Sequence, residues 1–494
     1  MFSLQLAELV ADIDGVTGPA GDAGAVSIRA LTADSRAVTP GALFAALPGA
    51  TTDGRHHIAD AVARGAAAVL APPDVTDPGV PLITADSPRR ALARMAARFA
   101  GGQPRHLAAV TGTNGKTSVA SFTRQLWAAL GARAASLGTL GLVPEDAAVS
   151  PGPLTTPDPV ALHTTLAELA RTGTTHAVLE ASSHGLAQER LDGLALTGAA
   201  FTNLSQDHLD YHVTMAAYRA AKRRLFAELL PAGGTAVINA EDAEGRALAE
   251  TCRGRGLTTW TYGAPEGLGG AHHLLLRSRH ADAAGQQLAL RLLDTEVEVR
   301  LPLAGRFQAL NALAAAGLVL ASGAEPREVA AAMETLAGVP GRLEPVATTP
   351  AGGRLIVDYA HTPDALAHAL DALRPHATGG LRVIVGCGGE RDAAKRPLMG
   401  EAAAARADGV IVTDDNPRGE DPATIRRAVL TGAPAAREIG DRARAIRTAA
   451  AELGAGEVLL IAGKGHETGQ TVGGTTHPFH DATVARQAAA EVAA

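Results

Sequence analysis

Cysteines and long apolar runs are scarce in this chain, and each absence excludes a class of protein. The two cysteines among 494 residues, Cys252 and Cys387, stand far apart in the sequence and predict no disulfide framework. No apolar run approaches the roughly 18 residues that a membrane span requires. The first segment, MFSLQLAELVADIDG, carries acids instead of the basic start of a signal peptide. We therefore expect a cytoplasmic protein without membrane insertion.

An excess of positive charge is also missing. The net charge of −7 gives no reason to expect binding to nucleic acid or to a membrane surface. Anionic ligands would have to be held by local arginines and lysines against that average. With 46% hydrophobic and 19% charged residues the composition is globular, and the length predicts about three domains.

Strand and helix patterns alternate along most of the chain, which predicts the α/β class with parallel sheets. Breaks near 101–104 and 338–342 divide it into predicted domains 1–102, 103–337 and 338–494. Consecutive strand patterns between 257 and 303 suggest an antiparallel extension of the central sheet. In the last domain four strands with intervening helices predict a doubly wound sheet, with its site at the carboxyl ends of the strands.

The segment HLAAVTGTNGKTS, which ends at Ser118, combines an apolar run, a glycine loop and a Lys-Thr pair ahead of a helical pattern. This order is typical of a phosphate-binding loop, because glycines let backbone N–H groups approach phosphates and the helix start adds its positive dipole end. We expect Lys116 to reach the terminal phosphates and Thr117 to ligate Mg²⁺. The general motif would place glycine near Val110 or Thr111, and Gly-Lys-Thr also occurs in ordinary turns. The flanking strand and helix favour nucleotide binding.

Two polar clusters follow the next predicted strands. The first, EASSHGLAQER, begins at Glu180, whose carboxylate is well placed to hold Mg²⁺; a capping group at a helix start is the alternative. The second, NLSQDHLDYH at 203–212, contains two histidines and two aspartates. Such a set at a strand end favours a metal or phosphate site over histidines buried in a core.

Two residues on predicted helices stay open from the sequence alone. Lys222, in AAYRAAKRR, has the pattern of a surface helix lysine. Asn311, in FQALNALAA, is either a polar residue inside a helix or a contact to a nucleotide base.

Charged clusters follow all four strands predicted in the last domain, at 358–363, 387–392, 414–418 and 463–467. Each alone could be a capped turn. Together they predict one crevice for an anionic or zwitterionic ligand. Arg391 and Arg418 could each hold a carboxylate through two parallel hydrogen bonds, which lysine does less well.

These clusters together resemble the Mur ligases. TGTNGKTS, EASSHGL, NLSQDHLDYH, YRAAK, GRFQALNALAA, VPGRLE, DYAHTPDAL, GCGGERDAAKRP and GKGHE stand in the family's order, and DSRAVTPGALFAALPG extends the match into the first domain. The resemblance implies a small α/β N-terminal domain that binds a UDP substrate, a central ATPase-like domain with a phosphate-binding loop and a parallel sheet, and a Rossmann-like C-terminal domain that binds an amino acid. It also implies an ATP-dependent ligase of peptidoglycan precursor synthesis that forms an amide through an acyl phosphate.

Within the family, the match is closest to enzymes that add the third residue of the stem peptide. The implied substrates are ATP, UDP-MurNAc-L-Ala-D-Glu and meso-2,6-diaminopimelate, used with Mg²⁺ by a monomer. The residues implied in catalysis are Lys116, Glu180, His208 and Lys222. The last of these matches a lysine that is carbamylated in the family. The metal ligands implied are Thr117, Glu180, His208 and Lys222 as its carbamate.

The resemblance also assigns the binding residues of each substrate. Those expected at ATP are Gly112, Thr113, Asn114, Gly115, Lys116, Thr117, Ser118, Asn311 and Arg342. Those expected at the UDP substrate are Ser35, Thr155, Thr156, Ser182, Gln188 and Arg190. Those expected at diaminopimelate are Arg391, Asp415, Asn416, Pro417, Arg418, Gly463 and Glu467.

The DNPR sequence at 415–418 resembles the diaminopimelate-adding enzymes. Diaminopimelate carries a distal carboxylate that Arg418 and Arg391 can pair with, whereas L-lysine would leave those arginines without a partner. The alternatives are the lysine-adding version, folylpolyglutamate synthetase, a phosphotransferase or switch that uses the glycine loop alone, and a non-catalytic scaffold. The chain departs from the family pattern at Glu390, where Asp is common, and at Val213, where Gly is common.

Overall fold

The computed structural model describes residues 3–18, 21–49, 52–144, 154–263, 273–282 and 285–493. Three larger sheets follow one another along the chain, with five, ten and six strands, and each contains parallel neighbours. The predicted α/β class is therefore confirmed, while the two domain boundaries stay predictions. No helix within the described ranges combines the length and the apolar character needed to cross a membrane.

The five-stranded sheet has the order β2-β7-β6-β5-β4, in which β4 to β7 are parallel and β2 is antiparallel at the edge. Its segment contains strands β1 (Leu4–Gln5), β2 (Val16–Thr17), β3 (Ser27–Ile28), β4 (Ala30–Thr32), β5 (Ala42–Ala45), β6 (Ala66–Ala71) and β7 (Leu82–Ala85), and helices α1 (Leu6–Val10), α2 (Ile58–Ala63) and α3 (Pro88–Ala100). Helix α3 follows Ser87, whose hydroxyl caps it, and is stopped by left-handed Gly101.

The ten-stranded sheet has the order β10-β9-β11-β8-β12-β13-β14-β15-β16-β17. Its strands are β8 (His106–Thr111), β9 (Ala134–Gly138), β10 (Gly141–Val143), β11 (His176–Glu180), β12 (Gly198–Phe201), β13 (Thr235–Asn239), β14 (Thr258–Tyr262), β15 (His273–Asp282), β16 (Gly285–Leu292) and β17 (Thr295–Leu301). Strands β15 to β17 pair antiparallel, which confirms the predicted extension.

The helices of this segment are α4 (Lys116–Ala129), α5 (Pro159–Arg171), α6 (Ser183–Ala187), α7 (Leu209–His212), α8 (Met215–Arg224), α9 (Ala243–Gly254), α10 (Arg306–Ala321) and α11 (Pro326–Met333). One face of the sheet packs against α4, α10 and α11 and the opposite face against α5, α6 and α9. Burial on both faces explains why the parallel strands read as continuous apolar runs. Strand β8 lies between β11 and β12, so the loop that follows it meets the ends of both neighbours.

The six-stranded sheet has the order β18-β19-β23-β20-β21-β22. Its strands are β18 (Glu344–Thr348), β19 (Arg354–Asp358), β20 (Gly380–Val385), β21 (Gly409–Val412), β22 (Arg437–Glu438) and β23 (Glu457–Ala462), and a hairpin of β24 (Gly469–Val472) and β25 (Thr475–Pro478) follows. The helices are α12 (Pro363–Leu373), α13 (Lys395–Ala404), α14 (Pro422–Leu430), α15 (Arg442–Ala451) and α16 (Asp481–Ala493).

Helices cover both faces of this third sheet, α12 to α14 on one and α15 with α16 on the other, so the predicted doubly wound arrangement is confirmed. The four predicted strands are present, with β18 and β22 as additional edge strands. Strand β23 lies between β19 and β20 and is parallel to both. The four charged clusters therefore share one edge of the sheet.

Candidate active site

The loop between β8 and α4 needs glycine at two positions. Gly112 has φ 148° and a Cβ there would collide with the Thr202 hydroxyl. Gly115 has φ 86°, and its Cβ would lie 2.5 Å from Oδ1 of Asn311. Both the backbone conformation and the space therefore exclude larger residues. Asn311 is thus placed against the glycine loop, where it also donates to Gln308 at 3.0 Å.

Lys116 folds back into this loop. Its Nζ donates to the carbonyl oxygens of Gly112, at 2.9 Å, and of Thr113, at 2.8 Å. Burial lowers the pKa of this amine. The side chain thus lies where its charge could be turned toward a phosphate that enters the loop.

The second polar cluster, at 203–212 after β12, is hydrogen-bonded to the glycine loop. Thr113 N donates to the Asn203 carbonyl at 2.8 Å, and Asn114 N donates to Oδ1 of Asn203 at 2.9 Å. The hydroxyl of Thr113 also donates to Ser205 O at 3.1 Å. Side-chain and backbone bonds therefore fix the loop from one side.

Glu180 lies on the other side, at the end of β11. Its carboxylate accepts from the Thr117 hydroxyl at 3.0 Å and from the Thr139 N–H at 2.8 Å. Arg342 reaches across from the C-terminal segment and donates to the same Thr117 hydroxyl at 3.3 Å. A buried carboxylate beside a loop hydroxyl provides oxygen donors of the kind that Mg²⁺ prefers. Among the described residues, no set of three or more His, Cys, Asp and Glu is arranged to hold a metal, so the predicted magnesium ligands stay predictions.

Lys222 is buried, with 2% of its surface exposed, and its interpretation as a surface helix lysine is wrong. The Nζ donates to Gly112 O at 2.7 Å and lies 4.4 Å from the centre of the Tyr218 ring. Burial lowers the pKa of the amine well below its ordinary value, and the neighbouring charge of Lys116 acts in the same direction. Two lysines therefore share one carbonyl acceptor in the glycine loop.

Imidazole rings gather beside Lys222. The ring of His184 lies 4.9 Å from that of His208 and 5.5 Å from that of His212, with Tyr211 at 4.2 Å. Nε2 of His208 is 3.6 Å from a carboxylate oxygen of Asp207. Burial lowers the pKa of all three histidines, which favours neutral rings.

Four of the six residues predicted to bind the UDP substrate form one hydrogen-bonded set at the end of β11. The hydroxyls of Thr156 and Ser182 are 2.9 Å apart, and Arg190 donates to the Thr156 carbonyl at 2.6 Å and to Oε1 of Gln188 at 2.6 Å. Thr155 borders the set through its hydroxyl, 3.1 Å from that of Thr139. Ser35 begins a short helical turn in the N-terminal segment, and the hydrogen bonds of the described chain do not join it to the others.

The N-terminal segment reaches this set through α3. Arg90 pairs with Glu189 at 2.9 Å and with Asp192 at 3.2 Å, and the Ser87 hydroxyl also bonds to Glu189. Glu189 stands between Gln188 and Arg190 in the chain, so these contacts fix the predicted substrate residues against the first sheet.

The predicted diaminopimelate residues surround the ends of β20, β21 and β23. The amide Nδ2 of Asn416 donates to Glu467 at 2.7 Å, and Oδ1 accepts from Lys464 at 3.1 Å. Gly463 approaches Asp415 so closely that a Cβ would collide with the carboxylate. The Nη1 of Arg418 donates to Gly389 O at 2.8 Å. Pro417 lies between Asn416 and Arg418 and is buried.

Arg391 and Arg418 flank the same glycine. A Cβ on Gly388 would lie 2.9 Å from Nη1 of Arg418 and 3.5 Å from Cγ of Arg391. Arg391 is exposed and Arg418 half-buried, so both guanidinium groups are accessible to a ligand. The structure therefore brings together the two arginines that the sequence pairs.

A cavity of about 900 Å³ opens beside this loop. Asn416, Arg418 and Glu467 line it on the C-terminal side, and Gln125 and Thr139 line it on the central side. Because Thr139 also bonds to Glu180, the cavity adjoins the glycine loop.

Three further residues belong to the site although no role was predicted for them. Lys464 is fully buried, and its Nζ is 3.2 Å from Glu467 and 3.9 Å from Asp415. The available signal was its position in the charged cluster at 463–467, which follows a strand beside the other three clusters. Thr139 and Tyr218 carry no comparable signal, because only the folded chain brings them to Glu180 and Lys222.

Comparisons with known proteins cover nearly the whole chain. Residues 27–100, 110–319 and 341–465 match family models described as Mur ligase family, catalytic domain, as Mur ligase middle domain, and as Mur ligase, glutamate ligase domain. A relative in Caulobacter vibrioides is named UDP-N-acetylmuramoyl-L-alanyl-D-glutamate--2,6-diaminopimelate ligase, is 52% identical over 468 residues, and the alignment covers 93% of this chain and 95% of the relative.

Solved structures give the same result. A structure of a ligase with that same name is 33% identical, covers 99% of both chains and has a TM-score of 0.72. The MurF ligase from Thermotoga maritima, solved in complex with ADP, is 19% identical with a TM-score of 0.60 and covers 88% of this chain and 93% of its own, which shows a shared fold.

Proposed function

The chain belongs to the Mur ligase family, and from this we propose that it joins meso-diaminopimelate to UDP-MurNAc-L-Ala-D-Glu with cleavage of ATP. The observation that carries the proposal is the position of Thr139. This residue bonds to Glu180 beside the glycine loop, approaches Thr155 of the UDP-substrate set, and lines the cavity that holds Arg418. One short segment therefore borders the sites needed for the nucleotide, the acceptor and the amino acid.

The glycine loop is suited to bind the phosphates of ATP. Its backbone N–H groups and the start of α4 would surround the phosphates, and Lys116 would exchange its loop carbonyls for phosphate oxygens. Arg342 contacts the loop region at Thr117, and Asn311 lies against it at Gly115. The γ-phosphoryl group would pass to the D-Glu carboxylate, and the amine of the amino acid would displace phosphate from the acyl phosphate.

The oxygen donors beside the loop fit Mg²⁺. Thr117 and Glu180 would hold one ion, and His208 lies at the neighbouring loop where a further ion would need a ligand. Bound there, the metal would supply positive charge to the phosphates during transfer.

We also propose that Lys222 is carbamylated. Its buried amine has a lowered pKa, and a neutral amine can attack CO₂, form an N–C bond and lose one proton. The product would be a carboxylate beside Gly112, which would add an oxygen ligand for Mg²⁺. Intact-protein mass spectrometry and ¹³C NMR with labelled bicarbonate should show one carbamate, absent from Lys222→Ala. A wild-type spectrum without it would exclude the modification.

The UDP substrate would bind the hydroxyls of Thr155, Thr156 and Ser182 together with Gln188 and Arg190, and its uridine would extend toward Ser35. Arg190 is half-buried and is held to this set by its bond to the Thr156 carbonyl. These are the substrates of a cytoplasmic pathway, and we expect the enzyme to act there as a monomer.

The amino-acid subsite would select diaminopimelate through its distal carboxylate. Arg391 and Arg418 flank Gly388 and can bind that group, while Glu467 with Asp415 would face the distal ammonium group. L-lysine lacks the carboxylate and would leave the arginines without a partner.

The test measures phosphate release from ATP with Mg²⁺ and UDP-MurNAc-L-Ala-D-Glu, comparing meso-diaminopimelate with L-lysine. We expect turnover with diaminopimelate only, and a large loss in Arg418→Ala. Arg444→Ala, an exposed arginine on α15, is the matched control and should be unchanged.

Each other outcome identifies a different rival. Equal use of lysine would refute the two-arginine selection while leaving a ligase. Use of folate and glutamate instead would identify a folylpolyglutamate synthetase. ATP cleavage that ignores both cosubstrates would leave a phosphotransferase or switch, and no cleavage would leave a scaffold.

A further inference from the structure

A β-hairpin packs directly on the loop that carries Arg418. The backbone N–H of Arg418 donates to Thr471 O at 3.0 Å, and Gly473 N donates to Arg418 O at 2.7 Å. These bonds join the loop to β24 at the position of Val472. Arg418 is therefore held through its backbone by a segment outside the four charged clusters.

The same hairpin fixes Asn416. Its backbone N–H donates to Oε1 of Gln470 at 3.0 Å, and its Oδ1 accepts from Thr471 N at 2.9 Å. The same Oδ1 also accepts from Lys464, and Nδ2 donates to Glu467. The side-chain amide of Asn416 is thus hydrogen-bonded to protein groups. Its main effect on a ligand is to set the position of the loop that carries Arg418.

The loop has an unfavourable backbone that needs such support. Asn416 has φ 43° and Arg418 has φ 51°, both in the left-handed region that L side chains rarely adopt. Asparagine tolerates this region and arginine does so less well. The Nη1 of Arg418 is used by Gly389, while in the described chain Nε and Nη2 have no protein partner and remain available to the cavity.

We infer that the hairpin of β24 and β25 is the positioning element of the amino-acid subsite and that Gln470 is its positioning residue. The inference rests on the proposed function. Gln470 accepts from Asn416 N, Asn416 precedes Pro417 and Arg418, and the rigid proline transmits the position of the first residue to the last. Loss of the Gln470 acceptor would release the turn and misdirect the guanidinium group without removing any ligand contact.

The test compares Gln470→Ala, Gln470→Glu and His477→Ala in the full chain. Gln470→Ala should raise KM for diaminopimelate by about tenfold, the effect of one lost hydrogen bond, with kcat and the KM values of ATP and the UDP substrate unchanged. Gln470→Glu keeps an acceptor oxygen in the same place and should restore most of the affinity. His477 faces Gln470 across the exposed hairpin and its alanine variant should match the wild type.

Calorimetric binding of diaminopimelate and the thermal midpoint of each variant complete the experiment. An unchanged KM for diaminopimelate in Gln470→Ala would overturn the inference. So would equal weakening of all three substrates with a lowered midpoint, which would indicate a general loss of structure. A wild type that does not prefer diaminopimelate over lysine would instead refute the proposed function, so the two failures are distinguishable.

Discussion

Val213 occupies a backbone conformation that favours glycine. It has φ 64° and ψ −44°, and Thr214 N donates to His212 O at 2.7 Å, which makes Val213 the centre of a tight three-residue turn. Turns of this kind with positive φ are rare and strained. The side chain is 78% exposed, so the strain is not offset by burial of its methyl groups. We predict that Val213→Gly stabilises the protein.

The size of the effect follows from two opposing terms. A β-branched residue with positive φ costs about 1–2 kcal/mol relative to glycine. Glycine also loses more backbone freedom on folding, which subtracts roughly 0.5–1 kcal/mol. With the middle of each range, the net stabilisation is about 0.75 kcal/mol, equivalent to a rise of about 1.5–3 °C in the midpoint of a domain of this size.

Differential scanning calorimetry on the full chain measures this shift, with Val213→Ala as the matched control. Alanine removes the branched carbon but keeps Cβ, so we expect it to recover only part of the gain. An unchanged or lower midpoint for Val213→Gly would refute the strain argument and would show that Val213 makes a stabilising contact.

Three further predictions concern a buried histidine, a buried ion pair and the glycine loop. Burial lowers the pKa of His163 to about 4, below its unfolded value of about 6.5. The contribution of neutral His163 to the free energy of unfolding is therefore intact above pH 6.5 and is lost as pH falls toward 4, by about 2 kcal/mol at pH 5. His163→Gln should make the free energy of unfolding, measured with urea, depend less on pH in this range. Asp481→Ala leaves Arg442 buried without its 2.7 Å partner and should cost about 3–5 kcal/mol in the same assay. Gly115→Ala places Cβ on Asn311 at a residue with φ 86° and should weaken ATP binding in calorimetry by tenfold or more, and the same strain should lower the thermal midpoint.

Each of these has a clear contrary outcome. If the free energy of unfolding of His163→Gln still falls at acid pH as steeply as that of the wild type, other groups cause the loss of stability. If Asp481→Ala destabilises the protein only slightly, water or another acceptor must reach Arg442. Normal ATP affinity in Gly115→Ala would mean that the loop can move away from α10.

The strands and the glycine loop could be predicted because they depend on local patterns. Buried parallel strands give apolar runs, and the loop glycines are required by the backbone itself. The edge strands β18 and β22 could not, because β22 has two residues and neither forms an apolar run. Pairing with a neighbour defines them.

At the site, the sequence could not predict which side chains are buried or which hydrogen-bond partners they have. Lys222 looks like a surface lysine because its helix is polar, and its burial follows from packing against the glycine loop. Asn416 and Arg418 stand two residues apart in one motif, yet one is committed to protein partners and the other faces a cavity. The two glycines after Val472 are a hairpin signal, but tertiary structure decides which loop the hairpin supports.

The insertion of β23 between β19 and β20 has a consequence for how the protein is made. In the order of synthesis β19 and β20 emerge first, and the strand that pairs with both follows only at Glu457–Ala462. A nascent chain that stops earlier holds two strands with no common partner, and these expose apolar edges that could associate wrongly. Lys464 and Glu467 come directly after β23, so the proposed amino-acid subsite can form only after the glycine loop and the predicted UDP-substrate residues have been synthesised.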